Sequence, residues 1–418
     1  MASSLLRHGA PQLLGTALSD HSDDVPVTRK ARRGPLQQSR RMPVSSVQTV
    51  VPRSRPIRVS TGITLELAEE SGKVSVIIPT FNRASLVTRA IESALSQTYR
   101  NIEVVVVDDG SSDDTRRVVE AFGSPVRFLY QENSGVTAAR NLAIRHARGE
   151  FLAFLDSDDA WGSWKLESQV AVLTRFPQAG VVWSDMTALD RAGHVISDRY
   201  LRVMYRAHSR VNIEGAMREV DRLGNFSSAV PDDVASAPVR VGDLFSEILL
   251  GNLLHTSTVM VRRAWVERVG GFDPSFVHAG EDYEFYVRLC SVGPVAFIDA
   301  PSTYYCVGAP DQLTRPSMIL EIARNNLRTI RKWLPYSASH LTIPRQQIRT
   351  LLADSYSWLG QAELDAGNRF AAARGLLMSL VLGPRIDRRS GLLALCALPS
   401  AVSTRLREIR MKLLALAS

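Results

Sequence analysis

Three carboxylates in four residues, Asp156, Asp158 and Asp159, follow directly on the apolar run Phe151-Leu152-Ala153-Phe154-Leu155. A short apolar run of this kind reads as a buried strand, which puts the acids at its carboxyl end. In open α/β sheets ligands bind along that edge. One acid there needs no ligand, since Asp or Ser can cap a helix starting near Trp161. Three acids together repel one another unless something cationic sits among them. Mn²⁺ or Mg²⁺, shared between carboxylates and a substrate diphosphate, would supply that charge. A second acidic group, Glu281-Asp282 after Gly280, opens a predicted helix to about Cys290. Acids in a first helical turn also interact favourably with the helix dipole.

The elements that must position these acids alternate. Val74 to Ile78 reads as a strand buried on both faces, closed by Pro79, which lacks an N–H. Asn82 or Ser85 then caps a helix to about Gln97, with Leu86, Ala90, Ala94 and Leu95 toward the sheet. Ile102 to Val107 is a second strand, ending in Asp108-Asp109-Gly110-Ser111-Ser112, and a helix follows from Asp113. Val126 to Tyr130 is the third strand. Asn133-Ser134-Gly135-Val136 starts a helix through Arg140 and Asn141 to about Ala147, and Phe151 to Leu155 is the fourth strand. This alternation predicts an α/β fold with a Rossmann-like, doubly wound, mostly parallel sheet. The dinucleotide glycine fingerprint is missing after the first strand, and GxxxxGK[ST] occurs nowhere. A diphosphate would have to be held through metal rather than a Gly-rich cradle.

Val74 to Arg83, Val105 to Thr115, Asn133 to Asn141 and Leu155 to Trp161 resemble the successive signatures of the inverting family 2 glycosyltransferases, in that family's order. The resemblance extends to about Cys306 and implies the GT-A fold. It implies that Pro79, Thr80, Phe81, Asp109 and Gly135 lie at the donor nucleotide, with Thr80, Phe81 and Asp109 holding its base. Arg140 would stand on the diphosphate side, Asp156 at ribose or sugar and at the metal, and Asp158 would be the main metal ligand. It also places the catalytic base in Glu281-Asp282. Asp282 is taken as the base and Glu281 as the residue that orients it or binds acceptor; the reverse assignment stays open. An inverting transfer needs such a carboxylate within reach of the acceptor hydroxyl, opposite the departing nucleotide. Near Tyr304-Tyr305-Cys306-Val307-Gly308 relatives carry Arg and His, and this chain has no His there. The third metal contact then falls to water, substrate, His255 or His278.

The chain divides into a basic, disordered N-terminal tail (1–72), a transferase domain (73–310) and a helical C-terminal region (316–418). Within the domain, 73–185 would bind nucleotide sugar and 186–310 the acceptor. Between Val25 and Ile63 there is no acid, while nine Lys and Arg are interleaved with Pro and Ser. That composition fits a solvated tail, and secondly a segment drawn to anionic lipid. No aromatic residues are interleaved for base stacking, so no nucleic-acid partner is expected. Residues 199 to 241 fit no pattern and read either as a variable surface loop or as part of the acceptor pocket. Helices are predicted over Ile319 to Trp333, Gln346 to Ala366 and Arg369 to Val381, broken at Gly367-Asn368. Small residues Ala362, Ala366, Ala371 and Ala372 would let the last two pack closely. Thr404 to Leu416 carries Leu406, Ile409, Leu413 and Leu416 on one face amid basic residues, suited to an anionic bilayer or to the protein's own surface.

Forty-five per cent apolar residues support a sizeable core, and a formal net charge of +8 favours an anionic partner. No apolar run approaches the ~20 residues of a membrane span, and no secretion signal opens the chain. A cytoplasmic protein, peripheral on the inner face of the plasma membrane, is the expected location. The function expected is transfer of a sugar from a nucleotide diphosphate sugar, UDP-sugar favoured, to a glycan or lipid-linked hydroxyl in bacterial surface polysaccharide synthesis. A non-catalytic nucleotide-sugar binder or scaffold of the same fold is the alternative, and a sugar nucleotidyltransferase a more distant one.

Overall fold

Period-two alternation of apolar side chains decides where the core lies. The computed structural model describes residues 63, 65–276, 279–308, 316–337, 342–383, 392–394 and 396. In the first half β1 (Glu70–Thr80), α1 (Val87–Leu95), β2 (Ile102–Asp108), α2 (Thr115–Glu120), β3 (Val126–Tyr130), α3 (Val136–His146) and β4 (Gly149–Phe154) alternate. Val74, Val76 and Ile78 of β1 pack on one face of the sheet with Ala90 and Ile91 of α1. Ile77 packs on the other face with Ala139 and Ala143 of α3. Helices therefore cover both faces, which is why the strands read as near-continuous apolar runs. The order β3-β2-β1-β4 is parallel throughout. The carboxyl ends of these strands consequently share one edge.

Two local expectations fail for physical reasons. The acids after β4 do not cap a helix: Asp159 N donates to Asp156 O at 3.0 Å, closing a turn. That turn leads into β5 (Ala160–Trp161), and α4 (Lys165–Arg175) starts only after Trp164, with no side-chain cap. Asn82 does not cap α1 either. At φ +52° its Oδ1 accepts from Ser112 N (2.9 Å), tying the loop after β1 to the loop after β2.

The second half is mixed. β6 (Val181–Leu189) is followed by the short β7 (Val195–Ser197), its antiparallel neighbour. The unpatterned stretch holds single-turn helices α5 (Leu201–Met204) and α6 (Ile213–Ala216), then β8 (Met217–Arg222), α7 (Asp232–Ala235) and β9 (Pro238–Gly242). It is no surface loop: Leu201, Met217, Leu223 and Val239 are fully buried, and β9 and β8 extend the sheet at its far edge. After α8 (Phe245–Ile248), β10 (Val259–Arg262) inserts antiparallel between β4 and β6. Then come α9 (Arg263–Val269), α10 (Glu281–Cys290) and β11 (Val295–Cys306), the last parallel to β6.

Three helices close the described chain: α11 (Ile319–Ser337), α12 (Arg345–Asp365) and α13 (Arg369–Leu382). Gly367, at φ +84°, makes the break between the last two. They approach most closely through Gly360 and Gly375: a Cβ on Gly375 would stand 3.2 Å from Gly360 Cα. Ala362 and Ala372 are buried nearby, whereas Ala366 and Ala371 face solvent. α11 braces the segment that leads into α10, because Asn325 Nδ2 donates to Ala279 O (2.7 Å) and Lys332 Nζ to Glu284 Oε1 (2.8 Å). No helix among the described residues is long and apolar enough to cross a membrane. The tail before Ile63, His278 and the segment Thr404 to Leu416 lie outside the described residues.

Candidate active site

The floor of the site is built where β1 and β2 end. Thr80 pairs with Asp108, and Asp109 N donates to Thr80 O at 2.8 Å. Asp108 Oδ1 accepts from Ser111 N (2.9 Å), which folds the turn at Gly110. Gly110 sits at φ +83°, and a Cβ there would lie 2.7 Å from Asn133 N, so only glycine fits between the two loops. The Asp109 carboxylate gathers the other loop: Oδ1 accepts from Gln131 Nε2 (2.6 Å) and Ser134 N (2.9 Å), and Oδ2 from Gly135 N (2.9 Å). Gly135, at φ +88°, then starts α3. Thr80 Oγ1 is buried without a hydrogen-bond partner, and the next residue, Phe81, is 44% exposed. Asp109→Ala would strand three donors and is expected to cost about 1–3 kcal/mol. Thermal melting should show that loss, together with weaker nucleotide binding by calorimetry.

At the end of β4 the acids are held from across the sheet. Ser257 Oγ donates to Asp159 Oδ2 (2.5 Å) and accepts from Asp156 N (3.1 Å). Ser257 O also takes the Trp161 indole N–H (2.7 Å). These contacts bring Asp156, Asp159 and His255 together, with one ligand atom of each within 4.8 Å of the others. The His255 ring lies edge-on to Tyr305, its Nδ1 is buried without a hydrogen-bond partner, and burial pushes its pKa down to about 4. A neutral imidazole whose Nδ1 has no hydrogen-bond partner, beside two carboxylates, is a suitable donor set for a divalent ion. Burial raises the Asp159 carboxyl well above the usual range, with Asp158 and Asp156 adding to it. Asp158 is not in this trio; its backbone carbonyl accepts from Arg89 Nη2 at 2.7 Å.

One cation joins the two halves of the site. Arg140, on α3, is buried: Nη2 donates to Asp156 Oδ1 (2.8 Å) and Nη1 to Glu281 Oε1 (2.7 Å). Its guanidinium lies 5.3 Å from the centre of the Phe272 ring. Burial opposes its charge, but Asp156 and Glu281 more than compensate and raise its pKa. Burial likewise works to raise Asp156, and Arg140, then His255, hold it below the usual carboxylate range. Next to Glu281, Asp282 accepts from Tyr283 N at Oδ1 (2.7 Å) and from Asn252 Nδ2 at Oδ2 (3.3 Å). Burial, then the charge on Glu281, pushes its pKa up to about 7. Tyr205 and Tyr286 have phenols raised first by burial and then by the charge of Asp282. Tyr205 thus brings the unpatterned stretch to the site.

Arg140, Asp156, Glu281 and Asp282 meet in one place, with Asp109, Gly135 and Thr80 along the same strand edge. Pro79 sits inside β1 opposite Val107. Ser257, Asn252 and Tyr205 were not singled out as site residues from the sequence, whereas Asp159 stood there as one of three acids and His255 as one option for the third metal contact. His255 and Ser257 precede a four-residue strand and reach Asp159 from about 100 residues away, a separation at which spacing carries no signal.

A family model described as Glycosyl transferase family 2 matches residues 75–194. An uncharacterized glycosyltransferase of Nostoc sp. is 31% identical over 254 residues, covering 60% of this chain and 69% of that protein. The chain belongs to glycosyl transferase family 2. An uncharacterized glycosyltransferase of Rickettsia prowazekii is 29% identical over 224 residues, 54% of this chain and 60% of its own length. The UDP-Glc:alpha-D-GlcNAc-diphosphoundecaprenol beta-1,3-glucosyltransferase of Escherichia coli is 44% identical over 104 residues, 24% of this chain and 41% of that enzyme. The chain therefore spans less than two thirds of the length of several curated relatives that it matches. The stretch matched by the family model carries Thr80, Asp109, Arg140 and Asp156.

Proposed function

We propose that this family 2 protein is an inverting glycosyltransferase that uses a nucleotide diphosphate sugar, UDP-sugar favoured, and a glycan or lipid-linked hydroxyl acceptor. The observation that carries the reading is the Arg140 bridge, which links Asp156, after the end of β4, to Glu281 beside Asp282. Asp282 takes the acceptor proton as the hydroxyl oxygen bonds to the anomeric carbon. The bond from that carbon to the diphosphate breaks, its electron pair leaves with the nucleotide diphosphate, and the anomer inverts. A base with a pKa near 7 is about half ionised at neutral pH, and strong enough to accept this proton. Asp109 orders the loop Gln131–Gly135 beneath the nucleotide base, and the unpartnered Thr80 Oγ1 is available to it. The UDP preference and the lipid-linked acceptor are supported by the name of the E. coli relative, and a role in bacterial surface polysaccharide synthesis follows from them.

Mn²⁺ or Mg²⁺ would be held by Asp156 with Asp159 and His255, and by Asp158 as the family resemblance implies; when bound it would neutralise charge on the leaving diphosphate. Nucleotide release from UDP-, GDP- and dTDP-sugars, with Mn²⁺ and with chelator, tests this reading. One donor should be hydrolysed slowly, with the activity lost in chelator. His255→Ala should weaken Mn²⁺ binding, read by calorimetry, by about 10–100-fold. Binding of none of the donors would contradict the reading.

A further inference from the structure

Among the described residues, helix α13 carries a largely exposed apolar side. Its inner side, Ala372, Gly375, Leu376 and Ser379, is buried in the close contact with α12. On the outer side Phe370 is 96% exposed, Leu377 54%, Met378 37% and Val381 64%. The helical period puts these four on one side with Arg374, which is also exposed. At 1.5 Å per residue the stripe runs roughly 16 Å along the helix. A scattered exposed Leu needs no explanation, but a contiguous stripe of this kind marks an interaction surface.

Charge selects the occupant. Residues 316–418 contain 15 Lys and Arg against six Asp and Glu, a formal +9, whereas 73–315 contain 25 against 30, a formal −5. The net positive charge of the chain is thus concentrated in the region that bears the stripe and in the N-terminal segment, while the catalytic domain is acidic. A second copy is a poor fit, since two-fold pairing of the stripe would bring Arg374 beside its own counterpart with no acid on that face to answer it. At a bilayer surface the same arginine lays its methylenes along the apolar side chains and lifts its guanidinium to lipid phosphate. We propose that the Phe370–Val381 face of α13 docks on an anionic lipid bilayer. The docking is independent of sugar transfer and would bring the catalytic domain to any acceptor carried by that bilayer.

The test is co-sedimentation of the full chain with vesicles of phosphatidylcholine mixed with phosphatidylglycerol, and with vesicles of phosphatidylcholine alone. Wild type should partition onto the mixed vesicles and less onto the neutral ones. The triple variant Phe370→Ser, Leu377→Ser, Val381→Ser should partition at least about tenfold more weakly. Arg374→Glu leaves the apolar stripe intact and should lose several-fold on the mixed vesicles alone. Both variants change only solvent-exposed side chains, so circular dichroism and donor hydrolysis should match wild type. Equal partitioning of the triple variant and wild type would overturn the proposal, as would wild type staying off anionic vesicles. A wild-type dimer that the triple variant dissolves would assign the face to a second copy instead.

Discussion

Replacing Asp282 by Asn is expected to lower kcat by about 10²–10⁴-fold while changing donor affinity only a few-fold. The amide is isosteric and its oxygen still accepts from Tyr283 N, so the first turn of α10 should hold. What disappears is the only step assigned to this carboxylate, removal of the acceptor proton. Stability should move the other way. Asp282 binds its proton more tightly folded, with a pKa of about 7, than unfolded, where an Asp titrates near 4. Its contribution is therefore fully present below pH ~4 and lost as the pH rises through about 7. Asp282→Asn removes that slope, and its melting temperature should exceed that of wild type at pH 8. Unchanged turnover in this variant would pass the role to Glu281.

Arg140→Met should be the most damaging substitution at the site for both folding and binding. It leaves Asp156 and Glu281 facing each other across a gap with no cation between them. Removing one partner of such a buried pair costs about 3–5 kcal/mol. Asp156 keeps 24% of its side chain exposed, so the lower end applies, with a fall in melting temperature of about 5–10 °C. Adding Glu281→Met should restore most of the stability by removing one of the stranded charges. It should not restore donor affinity, because the guanidinium beside Asp156 is still missing. Recovery of both in the double variant would mean that Arg140 serves packing alone.

Much of the first half of the sheet was legible in the sequence because its determinants are local. Apolar runs such as Val104 to Val107 declare strands buried on both faces, and the acids and glycines that follow them fall at the shared edge. Helix limits in the C-terminal region came close for the same reason: Gly367 can adopt a positive φ that stops one helix and lets another start. The second half resisted because its strands are short. β10 has only four residues and β9 opens on a proline, so neither shows a usable period. The acidic pair Glu281-Asp282 was singled out through family resemblance. Its link to Asp156 through Arg140 joins residues about 140 apart and is a property of the fold. The cluster of Asp156, Asp159 and His255 shows the same limit. Asp159 stood in plain view as one of three acids, but its partner His255 is brought to it only by β10 inserting between β4 and β6.

The most direct test of the central claim is the pH dependence of nucleotide release from the accepted donor in the presence of acceptor, for wild type and Asp282→Asn. A carboxylate that must be ionised to act gives a rate that falls about tenfold per pH unit on the acid side. The wild-type profile is predicted to bend near pH 7 and level off above it, matching the raised Asp282. In Asp282→Asn the residual rate should show no bend there. A wild-type profile flat down to pH 5, or a bend near 7 that survives in Asp282→Asn, would contradict the assignment of Asp282 as the base.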